Sequence, residues 1–102
     1  MSRKIHKYTM SLKRGPHNVV LRHNIKILDF QTRGDQLVLW VEEDPEENIY
    51  SSLQFIVAFT GDPVPLGYSY LKTLQVETPM YLVYHIYLSN TFSSPIKLER
   101  LD

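Results

Sequence analysis

The sequence predicts an all-β fold, a small antiparallel sandwich or barrel of six to seven strands with at most one short helix. Apolar and polar residues alternate along most of the chain with the period of two that is typical of half-buried strands. Turn residues interrupt this alternation about every eight to twelve residues. No stretch of ten residues shows the spacing of an amphipathic helix.

The length of 102 residues is that of one ordinary domain. We expect residues 1–89 to form a single β domain. The weak periodicity of residues 90–102 predicts a C-terminal tail or an extra strand.

The predicted strands differ in how clearly their patterns show them. His6, Tyr8, Met10 and Leu12 alternate with polar residues, which indicates a strand with one buried face. Gly34 suits the positive-φ position of a hairpin loop between two later strands. The predicted strands are, in order, residues 5–12, 19–21, 25–30, 36–42, 53–60, 68–76 and 80–89.

Two of these strands have the strongest apolar patterns. Residues 36–42 are apolar on both faces, which predicts a central strand or a face that meets a partner. Residues 53–60 place four large apolar side chains in one row. Between them, residues 42–52 form an acidic loop in which Pro45 could begin one helical turn.

The composition excludes several classes of protein. With no cysteine, the chain has no disulfide, thiolate zinc site or cysteine nucleophile. The longest apolar run is nine residues, too short for a helix that spans a bilayer, so we expect no membrane association. These features and the lack of a signal-peptide pattern predict a soluble intracellular protein.

The zero net charge conceals an uneven distribution. Residues 1–33 hold eight Lys and Arg against one acid, and residues 34–66 hold seven acids and no Lys or Arg. This asymmetry fits either a bipolar surface for a charged partner or strands that neutralise each other across a sheet. We favour neutralisation, and zero net charge also argues against nucleic acid as a partner.

The motifs argue against an enzyme. The chain has no nucleophile elbow, no metalloprotease motif and no obvious acid pair, so we expect no catalytic residues. The four histidines lack the short spacing of zinc ligands, and the acidic loop matches no calcium-binding pattern. We therefore expect no metal and no cofactor.

The segment Thr60, Gly61 and Asp62 ends an apolar strand and has two possible interpretations. Its hydroxyl and loop N–H groups could hold an anion such as a phosphate. Turn chemistry favours a β-turn instead, with Gly61 left-handed and Asp62 bonded to a nearby backbone group. If it is a site, Tyr70, Thr73 and His85 are the candidates to complete it, with His85 in a tyrosine-lined pocket or bonded in the core.

Aromatic residues are abundant, with seven Tyr, four Phe and one Trp. Tyrosine is favoured at protein interfaces because its ring is apolar and its hydroxyl is polar. A platform for single-stranded nucleic acid would need interleaved basic residues, and Lys72 is the only one in the tyrosine-rich segment of residues 68–87. The interface candidates are Trp40, Tyr68, Tyr81, Tyr84 and Tyr87.

The motifs "KIHKY", "LVLWVEEDP", "TGDPVP", "YLKT" and "YLVYHIYL" occur in an order that resembles a family of short uncharacterised proteins of tailed phages and prophages. The resemblance spans about residues 4–88. The family usually carries a Pro-x-Gly-Ala stretch where this chain has "LRHNIKI". The matching positions are Ile5, Lys7, Tyr8, Ile27, Leu28, Gln31, Leu39, Trp40, Asp44, Pro45, Thr60, Gly61, Pro65, Tyr70, Thr73 and His85.

This resemblance implies a small phage accessory protein in the cytoplasm of a bacterial host, without an established chemistry to transfer. Together with the residue patterns it favours a protein that binds and neutralises a host factor, in host defence or takeover. The alternatives are an oligomeric sponge for a small molecule or nucleotide, and a structural or virion-associated component. A homo-oligomer is compatible with all three because small β domains associate through exposed edges.

Overall fold

The structure is a computed structural model that describes residues 2–76 and 81–90 and the backbone of residues 96–97. These residues form strands and turns and no helix, which confirms the predicted all-β antiparallel sandwich. Accordingly, nothing helical in the described part of the chain could cross a membrane. The strands are β1 (Lys4–Ser11), β2 (Gly15–Arg22), β3 (Lys26–Arg33), β4 (Gln36–Glu43), β5 (Ile49–Phe59), β6 (Tyr68–Val76), β7 (Leu82–Ser89) and β8 (Ile96–Lys97).

The strands form two sheets. One sheet has the order β1-β4-β3, and the other has the order β2-β5-β7-β6, with β8 paired to the beginning of β5. Every pairing is antiparallel. The edge strands β3 and β6 meet, and an ion pair between Asp29 and Lys72 joins the two sheets there.

Local sequence explains the turns between strands. Gly34 has a φ of 61° in the β3–β4 hairpin, the conformation predicted for it. Residues 44–48 form a short turn instead of the suggested helical turn after Pro45. Asp44 explains this difference, because its Oδ1 accepts a bond from the Glu46 N–H at 3.0 Å and its carbonyl accepts one from the Glu47 N–H at 3.1 Å.

Two strands begin earlier than the sequence predicts. The strand predicted at residues 19–21 begins at Gly15, and the strand predicted at residue 53 begins at Ile49. The β2 extension, residues 15–18, pairs with residues 54–57 of β5, and residues 50–52 of the β5 extension pair with residues 20–22 of β2. Backbone bonds therefore hold residues that lack an apolar pattern. Pro16 is tolerated because β2 is an edge strand, where an N–H can be missing.

The core lies between the facing sides of the sheets. The rings of Phe30 and Phe55, both fully buried, meet edge to face with their centroids 5.2 Å apart. Burial of each such side chain contributes about 1.5–3 kcal/mol. The buried cluster comprises Leu21, Phe30, Leu37, Leu39, Val41, Leu53, Phe55, Val57, Leu74, Tyr84 and Ile86.

Three ion pairs neutralise part of the uneven charge of the sequence. They link basic residues of the first third of the chain to acidic residues of the middle third, which supports mutual neutralisation. The pairs are Arg3–Glu42 at 2.8 Å, Arg14–Asp62, and Arg22–Glu43 with 3.8 Å between Nε and Oε2.

The C-terminal segment is described only in part. The backbone of Ile96 and Lys97 pairs with Tyr50 and Ile49 of β5. The Asn90 N–H donates to the Gly67 carbonyl at 2.7 Å. The remaining residues of the predicted tail, 91–95 and 98–102, lie outside the described part of the chain.

Candidate functional site

Four of the predicted binding residues form one continuous hydrogen-bonded row. The Thr60 hydroxyl lies 2.9 Å from His85 Nε2, and the Thr73 hydroxyl lies 3.0 Å from His85 Nδ1. The Tyr70 hydroxyl lies 2.7 Å from that of Thr73. The row crosses the outer side of the second sheet, from the end of β5 over β7 to β6.

Strand register brings these residues together. Thr73 is paired directly with His85, and both point away from the core because their neighbours Leu74 and Tyr84 point into it. Tyr70 and Thr73 are an odd number of residues apart, so a regular strand would direct them to opposite faces. The irregularity between Tyr70 and Lys72 removes this conflict.

Tyr87 belongs to the same surface. It lies opposite Tyr70 in the register, and the two rings meet edge to face with their centroids 5.7 Å apart. Tyr70 is 57% exposed, so this aromatic pair is presented to solvent. We call the surface formed by these residues the β6–β7 face, and it comprises Thr60, Tyr70, Thr73, His85 and Tyr87.

Gly61 and Asp62 do not take part in the row. Gly61 has a φ of 95°, and the Asp62 N–H donates to the Phe59 carbonyl at 3.0 Å, which makes a tight turn. Asp62 Oδ2 accepts from the Phe59 N–H and from Arg14 Nε, both at 2.8 Å. The Arg14 guanidinium holds the pKa of Asp62 below its usual range. The contacts are those of the predicted β-turn. The Phe59 N–H already donates to the Asp62 carboxylate, which takes the place of an external anion.

A cleft of about 340 Å³ lies beside this turn. Arg14, Asp62, Pro63 and Tyr68 are among its lining residues, but Tyr70, Thr73 and His85 are not. The hydrogen-bonded row therefore does not form the wall of this cleft.

The other interface candidates are in different environments. Tyr81 is 61% exposed, whereas Tyr84 is 7% exposed and packs edge to face against Phe59 in the core. Tyr84 therefore offers no ring surface to a partner. Trp40 lies on the outer side of the first sheet, where its Nε1 donates to Gln31 Oε1 at 3.0 Å.

One buried carboxylate, that of Glu43, is not among the functional residues that the sequence predicts. Glu43 is 3% exposed, and its Oε2 accepts from the Tyr8 hydroxyl at 2.9 Å. His6 Nδ1 lies 3.1 Å from its Oε1, and Arg22 Nε lies 3.8 Å from its Oε2. Burial and the hydrogen bond to Glu43 raise the pKa of Tyr8 to about 12.

A signal for this residue exists in the sequence. Glu43 continues the alternating row of Leu37, Leu39 and Val41, all of which point into the core. Because Glu43 lies beside other acidic residues, the sequence predicts that it belongs to a solvated loop instead. Despite this cluster, the described residues contain no group of three or more His, Asp or Glu that could hold a metal ion.

Comparison with known proteins gives one result. A family model described as a domain of unknown function, DUF7352, matches residues 1–96. No curated protein and no solved structure matches the chain.

Proposed function

We propose that this chain, which belongs to the DUF7352 family of domains of unknown function, is a non-enzymatic protein that binds a protein partner through its β6–β7 face. The observation that carries the proposal is the hydrogen-bonded row from Thr60 through His85 and Thr73 to Tyr70.

The row supports binding because its side chains are fixed before a partner arrives. Ordering a mobile side chain at an interface costs about 0.5–1.5 kcal/mol, and the bonds between Tyr70, Thr73 and His85 reduce that cost. Tyrosine and serine, which like threonine carries a small hydroxyl, are among the residues enriched in antibody binding loops. An exposed tyrosine pair framed by threonines is thus suited to contact a protein surface.

The same bonds argue against acid–base catalysis at this face. Both ring nitrogens of His85 lie within hydrogen-bond distance of threonine hydroxyls. A histidine that activates a hydroxyl nucleophile has its other ring nitrogen bonded to a carboxylate or amide, whereas the Thr73 hydroxyl occupies that place here. His85 instead orients the two threonines.

The partner that we propose is a bacterial host protein. This step rests on the resemblance to short tailed-phage proteins, which implies an accessory protein acting in the host cytoplasm. A small protein without catalytic residues can block a host factor by occupying its surface. A role in host defence or takeover follows from that mode of action.

Site-specific photocrosslinking tests the proposal. A benzophenone amino acid replaces Tyr70 in one variant and Ile5, which is 66% exposed on the other sheet, in the matched control. Both variants are irradiated in a bacterial lysate, and the crosslinked protein is identified and purified. We expect one protein to be enriched at Tyr70 over Ile5.

Affinity measurements with that purified protein decide the outcome. Tyr70→Ser should weaken binding about 30-fold, the effect of a loss of about 2 kcal/mol at an interface hot spot. Ile5→Ser should change the affinity less than twofold. Equal crosslinking at both positions, or full affinity of Tyr70→Ser, would contradict the assignment of the β6–β7 face.

A further inference from the structure

A second cavity lies at the β2 edge of the second sheet, away from the β6–β7 face near its opposite edge. It has a volume of about 390 Å³ and lies between the β2–β3 turn and the beginning of β5. Ligand pockets of proteins typically begin at about 300 Å³.

The walls of this cavity are largely apolar. Leu21 and Leu53, which are 2% and 7% exposed, line it together with Ile25 and Ile27. These four residues belong to the core or pack against it. The cavity therefore brings solvent or a ligand into contact with the hydrophobic core, and an apolar ligand body would cover that surface.

The polar residues of the cavity are held by bonds to the backbone and to each other. The His23 N–H donates to the Ile49 carbonyl at 2.7 Å, and its Nδ1 lies 2.7 Å from the Ser51 hydroxyl. Asn24 has a φ of 59°, and its carbonyl accepts from Arg3 Nη2 at 2.9 Å. The turn is thus fixed without a ligand, which lowers the free-energy cost of binding one.

The charged residue that lines the cavity favours a ligand of negative charge. Arg22 is the formally charged residue among the described lining residues, which include no carboxylate. Its Nη1 donates to the Glu47 carbonyl at 2.7 Å and to the Tyr50 hydroxyl at 2.9 Å, so the guanidinium is held in place.

Glu43 neutralises the charge of Arg22 only in part. It lies 3.8 Å from Arg22 Nε and also contacts Tyr8 and His6. No bond to Arg22 Nη2 is found among the described residues. The Arg22 side chain is 21% exposed and lines the cavity, so its guanidinium keeps the capacity to donate to one further acceptor there.

We propose that this cavity binds a small amphipathic anion, a carboxylate with a medium-length aliphatic body. The aliphatic body lies against Leu21, Ile25, Ile27 and Leu53, and the carboxylate lies beside Arg22 and His23. This site is independent of the β6–β7 face, so either proposal can fail without the other.

Calorimetric titration of the full chain with three ligands of equal chain length tests the chemistry. We expect octanoate to bind at one site, octanol to bind at least tenfold more weakly, and octyltrimethylammonium not to bind. Equal affinities for octanoate and octanol would overturn the role of the charge. Absence of binding by all three ligands would overturn the site.

A filled cavity tests the location. Ile27→Trp should abolish octanoate binding, whereas Val20→Trp, at a position 48% exposed on the outer side of the sheet, should leave it unchanged. If Ile27→Trp does not fold, amide chemical shifts of the unaltered protein decide instead. Octanoate should move the signals of residues 21–27 and 51–53, and shifts centred on β6 and β7 would refute the location.

Discussion

Tyr8→Phe removes one donor from the buried Glu43 carboxylate. The phenol lies 2.9 Å from Oε2 and 3.2 Å from Oε1 of a residue that is 3% exposed. A hydrogen bond to a charged group contributes about 1.5–3 kcal/mol. His6 and Arg22 remain beside Glu43, so we expect a loss near the lower end of that range.

The effect should depend on pH in a defined direction. Burial and Glu43 raise the pKa of Tyr8 to about 12 from 10.0, so the folded state holds this proton more tightly than the unfolded state. The stabilisation is therefore complete below pH 10 and is lost as the pH rises toward 12. Two pKa units correspond to about 2.7 kcal/mol, and partial solvent screening reduces this to about 1–2 kcal/mol.

Urea denaturation at several pH values measures both quantities. Trp40 is the single tryptophan, so its fluorescence reports unfolding without interference from another. The difference between wild type and Tyr8→Phe should stay constant from pH 7 to 9 and shrink between pH 10 and 12. Tyr81→Phe, which removes an exposed phenol, is the matched control. A difference that does not change up to pH 12, or equal losses in both variants, would refute the reasoning.

Three further predictions concern the core, the turn and the seam between the sheets. Phe55→Ala should lower the free energy of unfolding by about 3–5 kcal/mol because Phe55 is fully buried, and the exposed Gln54→Ala should change it by less than about 0.5 kcal/mol in the same urea assay. Gly61→Ala should lower the melting temperature because the φ of 95° disfavours a side chain by about 1–2 kcal/mol; an unchanged melting curve would contradict this turn geometry. Lys72 lowers the pKa of Asp29 through a hydrogen bond, so Lys72→Met should cost up to about 1 kcal/mol at pH 7. That difference should vanish as the pH falls through the folded pKa of Asp29, and a difference that persists at pH 2 would refute the pairing.

The fold was predictable where one face of a strand is uniformly apolar. Leu53, Phe55 and Val57 form such a row, and all three lie in the core. Strand ends were less predictable because pairing of the backbone, not side-chain pattern, defines them. Gly15 and Pro16 would normally end a strand, yet both lie in β2 because β5 supplies the paired backbone.

The hydrogen-bonded row could be predicted only as a set of candidate residues. Thr60 reaches His85 because β5 pairs with β7, a contact between residues 25 positions apart. Tyr70 bonds to Thr73 because the pairing of β6 is irregular between Tyr70 and Lys72. No turn residue in the sequence indicates this irregularity. Alternation along one strand contains no information on either feature.

The distribution of charge links the fold to the proposed mode of binding. Arg3 and Arg14 are engaged by acidic residues of the middle third, so these two charges of the basic first third are already paired. The β6–β7 face carries no Lys, Arg, Asp or Glu. Recognition there must come from ring packing and neutral hydrogen bonds, which salt screens little compared with exposed charges. A partner surface that complements this face is therefore neutral, and its affinity should change little between low and physiological salt.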